Sequence, residues 1–65
     1  MTNEIIKRMT EEINAEIRMC KKEYDFNGRS AWYYACYNRT CGMIKMLSIA
    51  TGKKYFFDED GLQEA

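Results

Sequence analysis

A chain of 65 residues with ten basic and ten acidic side chains, three cysteines and no histidine makes one domain at most, and its zero net charge argues against a generic nucleic-acid binder. The odd number of cysteines, with no secretory segment ahead of them, argues against a disulfide framework, and the lack of histidine or a CxxC pair argues against a metal site. A core this small barely offsets the entropy of ordering the chain, so with disulfides and metals set aside the expected remedy is a homo-oligomer.

The first segment, from about residue 3 to 24, spaces Ile5, Ile6, Met9, Ile13, Ile17, Cys20 and Tyr24 mostly three and four apart, which is the helical period. These side chains fall within about 120° of arc, and Lys7, Glu11, Asn14, Arg18, Lys21 and Lys22 lie opposite. Thr2 or Asn3 serves as N-cap. Residues 25 to 29 read as a turn around Asn27-Gly28, a pair that favours positive φ. The same pair signals a β-hairpin, with Glu23–Phe26 against Arg29–Tyr34. That reading ranks second, because helical spacing continues well past the length of a short strand.

The second helix is expected from about residue 30 to 51, with Ser30 as N-cap and Gly52 just past the end. Trp32, Cys36, Met43, Met46, Leu47 and Ala50 share one face of the wheel. Tyr33, Tyr37 and Ile44 widen it, and Tyr34, Asn38, Lys45 and Ser48 lie opposite. Gly42 either breaks this helix in two or lets another backbone approach. Residues 52 to 65 read as a short extended aromatic arm that could pair as a strand, with a turn at Asp60-Gly61 and a frayed end. The expected fold class is therefore all-α, an antiparallel two-helix hairpin with a C-terminal arm. No apolar run approaches the ~18 residues of a membrane span, and no targeting segment is legible, so a cytoplasmic protein is expected.

Arg39 carries the most information. In a heptad reading it sits inside the seam formed by Trp32, Cys36, Met43, Met46 and Ala50, where an unpaired guanidinium is costly. With the turn centred near Asn27, Glu16 faces it. Arg39 then either pairs internally with Glu16, grips an anionic ligand or a partner's acid, or lies on the rim. Trp32, Tyr33, Tyr34 and Tyr37 crowd about one and a half turns beside Arg29 and Arg39, a composition that suits core packing, a protein interface, or base stacking with phosphate contact. At least one of these rings, most naturally Tyr34, must face solvent. Tyr55, Phe56 and Phe57 in the arm either cap the helix pair or insert into a neighbouring subunit, the second being favoured.

Cys20 and Cys36 are expected to face each other as plain buried thiols, with Cys41 on the outer face. Asp58-Glu59-Asp60-Gly61 has only a fragment of a calcium-loop pattern and reads as a solvated turn. No nucleophile elbow, Gly-rich phosphate loop or metal-ligand motif is present, so neither catalysis nor a cofactor is expected. The basic stretch from residue 26 to 57 contains no acid, and the last eight residues contain Asp58, Glu59, Asp60 and Glu64 with no base. Those two regions can meet within one fold or across subunits.

The stretch from Gly42 to Leu62, in which a helix ends at Thr51-Gly52 and runs into the basic-aromatic Lys53-Lys54-Tyr55-Phe56-Phe57, resembles the C-terminal pattern of small phage and prophage proteins. It covers about a third of the chain. The resemblance implies a counter-defence role in the host cytoplasm, either binding a host effector protein or sequestering a nucleotide signal. The leading expectation is thus a non-enzymatic binder of a small anionic ligand. Arg39 and Arg29 would hold phosphate, and Trp32, Tyr33 or Tyr37 would stack on a base. A stoichiometric inhibitor docking onto a host protein and a structural self-assembly protein are the alternatives.

Overall fold

The computed structural model describes residues 2–65. Two helices, α1 (Asn3–Asn27) and α2 (Ala31–Thr51), precede a two-stranded antiparallel sheet of β1 (Tyr55–Asp58) and β2 (Gly61–Glu64). Thr2 caps α1, its hydroxyl accepting from the Ile5 N–H at 3.3 Å. Expected to end near residue 24, α1 continues to Asn27. Gly28 supplies the positive φ of 64° needed to leave the helix, and its N–H closes on the Tyr24 carbonyl at 2.8 Å. The turn is accordingly shorter than the expected 25–29.

Glu23 organises that turn. Its Oε2 accepts from Asn27 Nδ2 at 2.9 Å and from the Ser30 hydroxyl at 2.7 Å. The same Ser30 oxygen accepts from the Tyr33 N–H at 3.0 Å and caps α2. One hydroxyl therefore satisfies a helix end and ties the two helices together. Ser30→Ala removes both bonds, and a denaturant titration should show a loss of about 1–2 kcal/mol. A loss below a few tenths would mean that the cap is dispensable. At the far end Gly52, at φ 73°, closes α2 onto the Ser48 carbonyl.

The core runs between the helices. Ile13 and Ile17 of α1 meet Ile44 and Leu47 of α2, with Ile6, Met9, Met43, Tyr55, Phe57 and Leu62 packed around them. Cys20, Cys36 and Thr40 are buried as well. The buried stripe of α2 is Cys36, Thr40, Ile44 and Leu47, rotated from the face expected around Trp32. Trp32 and Met46 are 59% and 58% exposed. Thr40 occupies the centre of the stripe because its hydroxyl is locally satisfied. It donates to the Cys36 carbonyl at 2.8 Å and lies 3.6 Å from Cys20 Sγ across the helix interface. A threonine with an internal partner packs as an apolar residue of similar size.

Gly42 does not break α2, and no other backbone of this chain approaches it. The helix is continuous through it, and a Cβ built there meets nothing within 4 Å.

The expected extended arm is a β-hairpin. Tyr55 pairs with Glu64, Phe56 with Gln63, Phe57 with Leu62 and Asp58 with Gly61. The last residues are paired where fraying was expected, and Ala65 N–H still reaches the Lys54 carbonyl at 2.9 Å. Two contacts explain the order. Lys53 and Glu64 form an ion pair at 3.3 Å, and Asn14 of α1 accepts from the Leu62 N–H at 3.2 Å. The hairpin thus covers one side of the helix pair. Among the described residues no helix is long and apolar enough to cross a membrane.

Candidate functional site

Alternation along β1 decides what the hairpin builds. Tyr55 and Phe57 turn toward the helices and Phe56 turns away, half exposed. Tyr55 and Phe57, expected to insert into a neighbouring subunit, pack instead on the chain's own core. Phe57 meets Tyr37 with ring centroids 5.2 Å apart. From there the rings continue: Tyr37 to Tyr33 at 6.0 Å, and Tyr33 to Tyr24 of α1 at 5.4 Å. Tyr34 stands edge-on to Tyr33 at 5.5 Å. Tilted and edge contacts at these separations are favourable for aromatic pairs, so the rings form one wall crossing α1, α2 and β1.

That wall lines an open groove of about 400 Å³ near the turn end of the helix pair. Ile17 and Cys20 form its floor. Lys21, Asp25 and Arg29 stand on the helix side, and Asp58 and Glu59 on the hairpin side. A second hollow of about 380 Å³ lies against Arg29, Tyr33, Tyr34 and Tyr37. Tyr33 belongs to both and is the hub of the ring contacts. Burial pushes its phenol above the ordinary value of 10.0, Tyr37 adds to the effect and the Arg29 guanidinium opposes it. Tyr33 therefore stays protonated at neutral pH and offers a hydroxyl donor.

Of the residues expected to bind a ligand or partner, Arg29, Tyr33 and Tyr37 come together here. Trp32 and Arg39 do not. Trp32 lines neither hollow. The Arg39 side chain sits on the rim, 50% exposed, and its Nε donates to Glu16 Oε1. It is not trapped inside the seam, because the rotated core puts Thr40 there instead. The Glu16 hydrogen bond, reinforced by the Glu16 charge, raises the Arg39 pKa and fixes it as a cation. The expected Glu16–Arg39 facing is thus present as an ion pair at the edge of the helix interface. Lys21, Tyr24, Asp25, Phe57, Asp58 and Glu59 line the groove without having been assigned to it from sequence. Tyr24 lay on the predicted core face, and no local signal connects β1 with α2.

The thiols are unequal. Cys20 and Cys36 are buried and Cys41 is exposed, all three free. Burial pushes the Cys20 thiol above its ordinary 9.0, while the Thr40 hydrogen bond opposes the shift. Since the thiolate is the reactive form, a thiol reagent should modify Cys41 rapidly in the native protein and reach all three only in denaturant. Fast native reaction of two or more would contradict this core. Raised thiol and phenol values also mean that the folded chain holds these protons more tightly than the unfolded one. Their contribution to stability is full below the ordinary thiol value and is lost as pH rises past it. Among the described residues no cluster of carboxylates and thiols is arranged to hold a metal ion.

No protein-family model matches the chain, and no curated protein and no solved structure is similar to it.

Proposed function

We propose that the chain is a non-enzymatic, cytoplasmic binding protein that docks onto a partner protein through the tyrosine-lined groove. The observation that carries this reading is the makeup of the groove: four aromatic rings in one wall, with three carboxylates against two cations along its edges. With Arg39 committed to Glu16, phosphate binding would rest on Lys21 and Arg29 beside Asp25, Asp58 and Glu59. That balance disfavours an anion. It suits an arginine or lysine anchor on a partner, since ring faces attract cations and the carboxylates complete the pairing.

The ring wall is itself open to solvent, and contiguous exposed apolar surface marks interaction sites; Phe26, next in sequence to the groove residue Asp25, is also 78% exposed. Burial holds the Cys20 thiol above its ordinary value, so this groove residue is not an activated nucleophile. The free thiols fit a reducing compartment. The likeness of Gly42–Leu62 to small phage proteins makes a host defence protein the first partner to test.

A second reading keeps Lys21 and Arg29 as phosphate ligands for a nucleotide stacked on Tyr33 and Tyr37. It is favoured by those two cations, neither of which forms an ion pair among the described residues. An NMR titration of the isotopically labelled protein separates the two. A short arginine-containing peptide should shift the signals of Tyr24, Tyr33 and Tyr37, and Tyr33→Ala should remove the response. Shifts with mononucleotides or cyclic dinucleotides, and none with the peptide, would install the second reading in place of the first.

A further inference from the structure

The hairpin covers one side of the helix pair and leaves the other bare. Asn14 and Tyr37, which meet the hairpin, lie on one flank of their helices, and the Glu16–Arg39 pair lies on the opposite flank. Along that bare flank, α2 carries a second stripe: Trp32, Ala35, Arg39, Gly42, Met46 and Ile49. Their spacing is three, four, three, four, three, the repeat of a helix seam. Yet Trp32, Met46 and Ile49 are 59%, 58% and 69% exposed, and Ala35 and Gly42 are exposed as well.

We infer that this stripe is a homodimer interface, in which α2 packs antiparallel against α2 of a second copy about a two-fold axis beside Thr40 and Cys41. The inference deepens the reading that the chain self-associates and is independent of what the tyrosine groove binds.

Three features select a second copy as the occupant. An isologous contact must be self-complementary, and this stripe is. Around the midpoint, Ala35 meets Met46 and Trp32 meets Ile49. Gly42 meets Arg39, the bulkiest polar side chain on the stripe, and a Cβ at Gly42 has nothing within 4 Å. Small residues thus stand where large ones of the other copy must cross. The charge is compatible too, because Arg39 enters the contact already paired with Glu16, so no unpartnered guanidinium is buried. The exposed surface points the same way: the chain exposes 4889 Å², above the roughly 4,300 Å² expected of a monomeric protein of 7.7 kDa. The stripe also explains why Gly42 sits in the middle of an unbroken helix, at a cost of about 1 kcal/mol relative to alanine.

Sedimentation of the full chain under reducing conditions, which prevent Cys41 from cross-linking, should give twice the 7.7 kDa chain mass at micromolar concentration. Met46→Glu should yield a monomer with an unchanged helical circular-dichroism spectrum. Two substitutions at Gly42 test the antiparallel register, and both improve helix propensity. Both crowd the crossing, but Gly42→Glu sets a carboxylate beside Arg39 of the second copy and should weaken the dimer least. Gly42→Lys sets like charges together and should weaken it on the order of tenfold or more. A monomeric wild type overturns the inference, as does a dimer indifferent to Met46→Glu. Equal weakening by the Glu and Lys substitutions overturns the antiparallel pairing, because a parallel seam would set Gly42 of one copy against Gly42 of the other. A monomer that still binds through the tyrosine groove would sink the dimer and leave the proposed function standing.

Discussion

Leu47→Ala should leave the chain largely unfolded at room temperature. Leu47 is 1% exposed and packs at the centre of the cluster with Ile13, Ile17 and Ile44. Truncating such a leucine removes about 3–5 kcal/mol, the transfer term plus the cavity left behind. A single core in a domain of this size supplies only about 3–5 kcal/mol in total. The loss and the whole stability are therefore of the same size, and among the described residues no second hydrophobic cluster holds the remainder. Circular dichroism should show the helical signal largely gone. Leu47→Met, which nearly conserves volume, should cost less than about 1.5 kcal/mol and remain folded. An alanine variant with native helicity and a melting point within a few degrees of wild type would show that the helix pair does not depend on this cluster.

The second large effect is expected at the hairpin. Gly61→Val should detach it from the helices. Gly61 takes φ 108°, the one positive value in the β-hairpin, and Glu59 and Asp60 keep negative φ. A β-branched residue is a severe outlier there, costing about 1–2 kcal/mol. A Cβ would also stand 3.1 Å from Asn14 Oδ1, the oxygen that accepts from the Leu62 N–H. Losing that bond adds about 1 kcal/mol. The two effects act together on the polar contact that docks the hairpin on α1, so the hairpin should release while the helices persist. Loss of amide-exchange protection at Leu62 is the readout. Asn14→Asp, which keeps the accepting oxygen, should leave Leu62 protected. If Gly61→Val protected Leu62 as well as wild type does, the docking contact would be misassigned. Release of the hairpin also takes Phe57, Asp58 and Glu59 out of the groove wall, so partner binding should fall with it.

The sequence made the helix pair legible because its signals are local: the spacing of Ile6, Ile13 and Ile17, the Ser30 cap, and the glycines at 28 and 52. The Glu16–Arg39 facing was legible for the same reason, since the turn position sets which residues oppose. The phase of α2 was not. Trp32 dominates a hydrophobic count, whereas the true stripe is centred on Thr40, whose hydroxyl is silenced by a carbonyl one turn back. With apolar residues on two faces, α2 does not declare which face is inward. The groove was half legible. Arg29, Tyr33 and Tyr37 lie within about two turns and could be grouped by eye. Phe57, Asp58 and Glu59 reach it because the hairpin docks on the helices, through Asn14, more than forty residues away in the chain, and through the packing of Tyr55, Phe57 and Leu62 on the core. No periodicity reports a contact of that kind.

The account depends on a single aromatic wall that spans both helices and the hairpin. A proton NOE experiment on the unmodified protein tests it most directly. Ring-to-ring cross-peaks are expected between Tyr24 and Tyr33, between Tyr33 and Tyr37, and between Tyr37 and Phe57. If Phe57 instead showed the averaged shifts of a free chain and no contact to Tyr37, there would be no groove, and the binding surface proposed from it would go with it.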